Sequence, residues 1–196
     1  LSSIGDIVHA LPFLRTLRVN YPNAHIAWII EERFQDLIEC NSDLDEVIPV
    51  RIKYWRKNLN AKSWNEICQT RKLLKDRRFD WTFDLQGLIK TGFIARMTGA
   101  PNRAGFHRGN CREKINVWFN NRHSKYITAD SHVVDLCLSQ LSVLGSFPSR
   151  AEFLLTIRAE DERISETFML ENRELTDKPI VGINPGAGFP TKLWSI

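Results

Sequence analysis

The sequence predicts an α/β fold: a Rossmann-like parallel sheet with helices on its faces. Short apolar runs at His25 to Ile30, Val47 to Val50 and Phe79 to Asp84 alternate with helical stripes, giving a β-α-β-α-β rhythm. Small-residue turns at Ser3-Ile4-Gly5 and Gln86-Gly87 each open such a stripe. The 196 residues, 43% apolar and 26% charged, can bury a sizeable core and suit one domain plus a fragment.

The first stripe runs through Ile4, Ile7, Val8, Leu11, Leu14 and Leu17. Ser2 or Ser3 can cap it, because a serine hydroxyl accepts from the orphan N–H groups of a helix start. A loop-to-helix turn of this kind normally follows a strand, so a strand is expected just before Leu1. Asn20-Tyr21-Pro22-Asn23 makes a turn. The run at His25 to Ile30 follows, ending at Glu31-Glu32, and a short helix passes through Phe34, Leu37 and Ile38. After Val47 to Val50 comes a basic loop, Arg51 to Lys57, then a helix from about Ser63 to Arg77 with Trp64, Ile67, Leu73 and Leu74 facing inward. Leu85 to Gly92 is a second strand-to-helix turn, its helix ending near Met97. Arg103 to Phe106 reads as a short strand. Ser131 to Leu144 is a helix closed by Gly145, and Ala159 to Glu171 is a charged helix. Trp28, Trp81 and Trp118 read as core. Asn172 to Lys178 is polar, and Pro179 to Asn184 begins a new strand. Residues 1–172 therefore form a first domain, and 173–196 hold a linker with the opening strand and loop of a second.

Several function classes drop out. No apolar run approaches ~20 residues, so no transmembrane helix is predicted, and no signal-peptide pattern is seen. Cys40, Cys68, Cys111 and Cys137 form no C-x-x-C pair, which argues against a zinc site or a disulfide scaffold and fits reduced thiols in the cytoplasm. The five histidines show no metal-ligand spacing. No G-x-G-x-x-G follows a strand, against a nicotinamide enzyme. Net charge is +4, but Arg51 to Arg78 alone carries +8 and the remainder −4. That asymmetry implies an anionic partner.

In a parallel sheet the loops after the strands share one edge, where ligands bind. Ser3 to Asp6, Glu31-Glu32, the Arg51 to Lys57 loop and Gln86 to Gly92 converge there. Asp6 has two readings: a first-turn acid favoured by the helix dipole, or a catalytic carboxylate beside Gln86 and Lys90. Cations nearby would keep it ionised. The Arg51 to Lys57 cluster is either a solvated loop or an anion site. Nucleic acid could stack on Tyr54 and Trp55, but no nucleic-acid fold signature accompanies them, and a phosphate or acidic sugar held by arginine forks fits better. Gly186, Ala187, Gly188 and Lys192 could hold phosphate oxygens. This is no Walker loop, since Thr191 precedes the lysine and Leu193 follows it.

These segments together resemble the ADP-heptose:lipopolysaccharide heptosyltransferases, inverting glycosyltransferases of GT-B architecture. The resemblance rests on Ser2 to Pro12, Trp28 to Phe34, Val47 to Val50, Tyr54-Trp55-Arg56-Lys57, Asp84 to Lys90, His132, and Gly186-Ala187-Gly188 with Lys192 and Trp194. The Trp-Arg-Lys segment is most like the heptosyltransferase I branch, which serves a Kdo–lipid A acceptor. The resemblance implies Asp6 as general base. It implies Arg56 and Lys57, with Arg51 or Lys53, on the anionic acceptor, and Ser3, Gly5, Gln86, Lys90 and Arg112 around the acceptor pocket. Gly186 to Gly188 and Lys192 would meet the ADP diphosphate of the donor, ADP-heptose. It further implies a peripheral enzyme at the cytoplasmic face of the inner membrane, no required metal, no nucleic-acid partner, and a chain inactive without its second domain.

Overall fold

The structure, a computed structural model, describes residues 3–128, 130–145, 151–172 and 181–183. The chain divides into two compact units, residues 1–156 and 157–196. In the second, helix Ala159–Glu171 has three acids in its first turn, where the helix dipole favours them. The tail residues Gly186, Ala187, Gly188 and Lys192 lie outside the described residues, as do parts of the strand expected over Pro179 to Asn184.

The first unit carries the α/β architecture. Helix α1 (Ile4–Asn20) begins at Ser3 and buries Ile7, Ala10, Leu11, Phe13 and Leu14. Pro12 lies inside it, and Thr16 Oγ1 donates to the Pro12 carbonyl at 2.8 Å. Strands β1 (Ala27–Glu31) and β2 (Glu46–Val50) pair in parallel, with Ile29 opposite Ile48. Helix α2 (Ile52–Lys57) follows β2 directly, so the basic segment expected as a loop is a helix. It turns helical because Ile52 and Trp55, three residues apart, both bury. Helix α3 (Ala61–Asp76) is capped by Asn60, whose side chain accepts from the Ser63 N–H. Strand β3 (Trp81–Phe83) is followed by α4 (Ile89–Met97). Strands β4 (Asn102–Gly105) and β5 (Arg122–His123) complete a parallel set in the order β3-β4-β5. The expected helix over Ser131 to Leu144 is α5 (Val133–Ser139) continued by a 3-10 turn to Leu144, and Gly145 closes it at φ +75°.

Two inward assignments fail. Trp64 is 68% exposed and Leu73 41% exposed. The face that α3 buries passes through Ser63, Ile67, Thr70 and Leu74, the helical spacing of one stripe, and both residues lie beside it. Trp118, at 79% exposed, is likewise not core.

Helix α1 joins two apolar clusters. Ile7 and Leu11 pack with Ile30 and Ile38, while Phe13 packs with Val134, Cys137, Leu138 and Leu141 of the α5 region. A third cluster ties β2, α2, α3 and α4 together through Ile48, Val50, Trp55, Leu74, Ile94 and Met97. At ~1.5–3 kcal/mol per buried side chain, these clusters fix the head of α1 and the loops after the strands.

Candidate active site at the head of the first helix

Asp6 is the point on which three separate segments converge. Its Oδ2 accepts from the Ser3 backbone N–H at 2.9 Å and from Gln86 Nε2 at 2.9 Å. Its Oδ1 accepts from Arg112 Nη2 at 2.9 Å. The first contact is the local helix-start bond. The other two reach across 80 and 106 residues of sequence, and no dipole preference requires them. Gly5 borders open space; a Cβ there would meet only Ser3 Oγ, at 4.0 Å.

Gln86 is held from below. Asp84, 3% exposed, accepts from the backbone N–H groups of Gln86 (3.1 Å) and Gly87 (3.2 Å), which shapes the turn. Its other oxygen accepts from Asn116 Nδ2 at 2.5 Å, and Asn116 also donates to the Leu88 carbonyl at 2.7 Å. Gly87 has φ +65°, where a side chain is strained, and a Cβ there would stand 2.9 Å from the Phe106 ring. The Arg112 loop docks on the same turn, since Glu113 N–H donates to the Gly87 carbonyl at 3.0 Å. Sequence reasoning gave Asp84 and Asn116 no role; the only signal was the position of Asp84 two residues before Gln86.

The electrostatics follow from these contacts. Burial pushes the Asp6 carboxyl up. The Ser3 N–H, the Arg112 guanidinium and the Gln86 amide together outweigh burial and hold it below its ordinary value of 3.8. Asp6 is therefore an anion at neutral pH, fixed in direction and able to accept a proton. One turn along α1, His9 Nδ1 is buried with no hydrogen-bond partner among the described residues. The ring of His9 meets that of His132 edge-on at 5.6 Å. The buried thiols are no competing nucleophiles, since burial pushes Cys111 to about 11 and Cys137 to about 12. Among the described residues, no three His, Cys, Asp or Glu side chains gather as a metal site.

The remaining candidates divide. Lys90 lies half-buried in the first turn of α4. Arg51 is committed to structure: it pairs with Glu32 and Glu66, each at 3.3 Å, and its guanidinium sits 4.3 Å from the Tyr54 ring centroid. Trp55 donates to Glu66 at 2.9 Å, closing the α2–α3 junction. Lys53, Arg56 and Lys57 are exposed and form no ion pair among the described residues. The backbone N–H of Lys53 donates to Glu31 at 3.1 Å, which sets α2 at the ends of β1 and β2. No described hydrogen bond or ion pair joins α2 to the Asp6 cluster.

Two sets of parallel strands with flanking helices define a Rossmann-like α/β domain. The chain belongs to glycosyltransferase family 9, the heptosyltransferases, whose family model matches residues 67–196. It is 35% identical over 115 residues to lipopolysaccharide heptosyltransferase 1 of Pseudomonas aeruginosa, covering 58% of this chain and 32% of that protein. The corresponding Salmonella typhimurium protein is 29% identical over 136 residues, covering 68% and 42%. Among solved structures, the E. coli heptosyltransferase WaaC with ADP superposes with TM-score 0.69 at 29% identity, covering 76% of this chain and 47% of that one. A family 9 glycosyl transferase from Veillonella parvula covers all of this chain and 54% of its own, with TM-score 0.80 at 25% identity. The chain thus spans about a third to two fifths of the curated relatives named here. Among the described residues no helix is long and apolar enough to cross a membrane.

Proposed function

We propose that this chain is the acceptor-side half of an enzyme that moves heptose from ADP-heptose to the Kdo of the lipopolysaccharide inner core, with inversion. The observation that carries this reading is the Asp6 carboxylate, ionised and aimed by contacts from two distant loops. Family membership supports the reaction class, and WaaC has been solved with ADP and with ADP-2-deoxy-2-fluoro heptose.

In the proposed step an acceptor hydroxyl donates its hydrogen bond to Asp6. Its oxygen attacks the anomeric carbon from the face opposite ADP. The new C–O bond forms as the bond to the phosphate oxygen breaks; ADP leaves with the electron pair and Asp6 takes the proton. The low Asp6 pKa makes it a modest base, so its contribution is orientation and charge more than proton affinity. Lys53, Arg56 and Lys57 hold the acidic acceptor sugar and phosphates. Ser3, Gly5, Gln86 and Lys90 line the hydroxyl's approach, and Arg112 steers Asp6. Gly186 to Gly188 and Lys192 neutralise the departing diphosphate without a required metal. The exposed cations also suit work at an anionic membrane face, at ~1 kcal/mol per side chain.

The test is transfer by the full-length enzyme carrying Asp6→Asn. Turnover should fall by about 10²–10⁴-fold with ADP-heptose binding kept. Near-normal turnover overturns the base assignment.

A further inference from the structure

The corner between α2 and α3 holds apolar side chains out to water on a fixed backbone. Asn58 follows the last turn of α2, and both its backbone N–H and its side-chain amide donate to the Tyr54 carbonyl at 3.0 Å. Asn60 caps α3 by accepting from the Ser63 N–H at 2.9 Å, and its own N–H donates to the Asn58 carbonyl at 3.0 Å. Leu59 stands between them at the tip. At 92% it is the most exposed large apolar side chain among the described residues, and Trp64 is 68% exposed. Leu59 precedes the cap and Trp64 is the fourth residue of α3, positions where an apolar pair often closes on itself to pin the entry to a helix. Here both members stay open to solvent.

The charge around the pair points to what covers it. From Arg51 to Asn65 there are five cations and no acid. Arg51 is tied to Glu32 and Glu66, while Lys53, Arg56, Lys57 and Lys62 are exposed with no ion pair among the described residues. The helix dipole accounts for Arg56 and Lys57 in the last turn of α2. It does not account for Lys62 in the first turn of α3, where a cation is disfavoured, nor for the apolar pair. A tryptophan and a leucine among lysines and arginines suit the face of an anionic bilayer. The indole sits at headgroup depth, the leucine goes below it, and the long cationic side chains reach lipid phosphates. A nucleic acid would use the cations and Trp64 but leave Leu59 in water.

We propose that the α2–α3 corner docks the enzyme on an anionic bilayer, with Leu59 and Trp64 inserted among the headgroups and Lys62 on lipid phosphates. Arg56 and Lys57, one step back in the chain, then lie beside the surface in which a lipid-borne acceptor sits. That link to the acceptor rests on the proposed transfer reaction; the docking does not.

The test is sedimentation of the full-length enzyme with vesicles of phosphatidylglycerol and phosphatidylcholine in equal parts. The parent should bind these and not vesicles of phosphatidylcholine alone. Leu59→Ser with Trp64→Ser should weaken binding at least about tenfold at low and at high salt, because apolar burial is not screened. Lys62→Glu should weaken it at low salt only. The double variant should keep the parent's urea midpoint. It should also keep the parent's turnover on a deacylated, water-soluble acceptor, while its KM for the same acceptor set in vesicles rises by a similar factor. Unchanged vesicle binding in the double variant overturns the docking. A lowered urea midpoint overturns it too, by placing the pair against another part of the protein. So does release from vesicles by single-stranded RNA whose binding depends on Trp64. If the vesicle results hold but no heptose moves to either acceptor, the transfer reading falls and the docking stands.

Discussion

The Asp6 cluster and the α2–α3 surface both concentrate charge, and they do so in opposite ways. At Asp6 every described contact is made between fixed partners: a helix start, the turn after β3 and the loop carrying Arg112. On α2 and α3, Arg51 is tied to acids, while Lys53, Arg56, Lys57, Lys62, Arg71 and Lys72 stand exposed with no ion pair among the described residues. The first arrangement specifies a direction for one carboxylate. The second supplies a field, which attracts an anion without aiming it. Changes in the first region should therefore act through geometry, and changes in the second through ionic strength.

The largest effect expected after loss of Asp6 itself comes from a residue that never touches it. Asp84→Ala leaves the N–H groups of Gln86 and Gly87 and the amide of Asn116 without their acceptor in a buried place. We expect a loss of about 3 kcal/mol of stability, read by urea unfolding, with Gln86 freed from Asp6. Asp84→Asn should recover part of the stability, since its amide oxygen can still accept the two backbone bonds. If both variants match the parent, the turn after β3 does not depend on Asp84 and the Asp6 region is less rigid than drawn.

Next in size is the exposed surface. Arg56→Ala with Lys57→Ala in the full-length enzyme should raise the acceptor KM about tenfold, at roughly 0.5–1 kcal/mol per exposed charge. Stability and ADP-heptose affinity should be unchanged. The difference from the parent should shrink as salt rises. A salt-independent effect, or one on donor affinity alone, would erase the contrast between the two regions.

The sequence made the alternating strands and helices legible because β1 and β2 are apolar runs bounded by turns. It made the meeting of Asp6 with Gln86 legible because both were expected in turns on one edge of the sheet. Strand β5 was not legible, since Arg122 and His123 are too short a run to show a period. The Arg51 to Lys57 segment looked like a loop because its charges hide a two-residue buried face. Trp64 looked like core because residue type outweighed its place beside the stripe. The Asp84–Asn116 pair spans 32 residues, and a buried amide meeting a buried carboxylate leaves no periodic trace. Arg112 was expected on the acceptor side. Its pairing with Asp6 depends on how the Glu113 and Gly87 backbones meet, which only the folded chain decides.

That pairing gives the smallest effect and the finest test of the comparison. Arg112 is 46% exposed on its side chain, so the ion pair should add no more than about 1 kcal/mol. The sign is fixed even so. Asp6 has its pKa lowered in the folded protein, so its contribution to stability is present above the ordinary value of 3.8 and is lost as pH falls through the folded value. Arg112→Gln removes one of the influences that lower it, leaving the Ser3 N–H and Gln86 bonds in place. The Asp6 carboxyl, followed by carbon NMR, should therefore titrate at a higher pH in the variant than in the parent, while staying ionised at neutral pH. The stability gap between the two proteins should be present at pH 6 and close below pH 4. A carboxyl that titrates at the same pH in both would mean that Arg112 adds nothing to the field at Asp6. The carboxylate would then be held by its backbone and amide bonds alone.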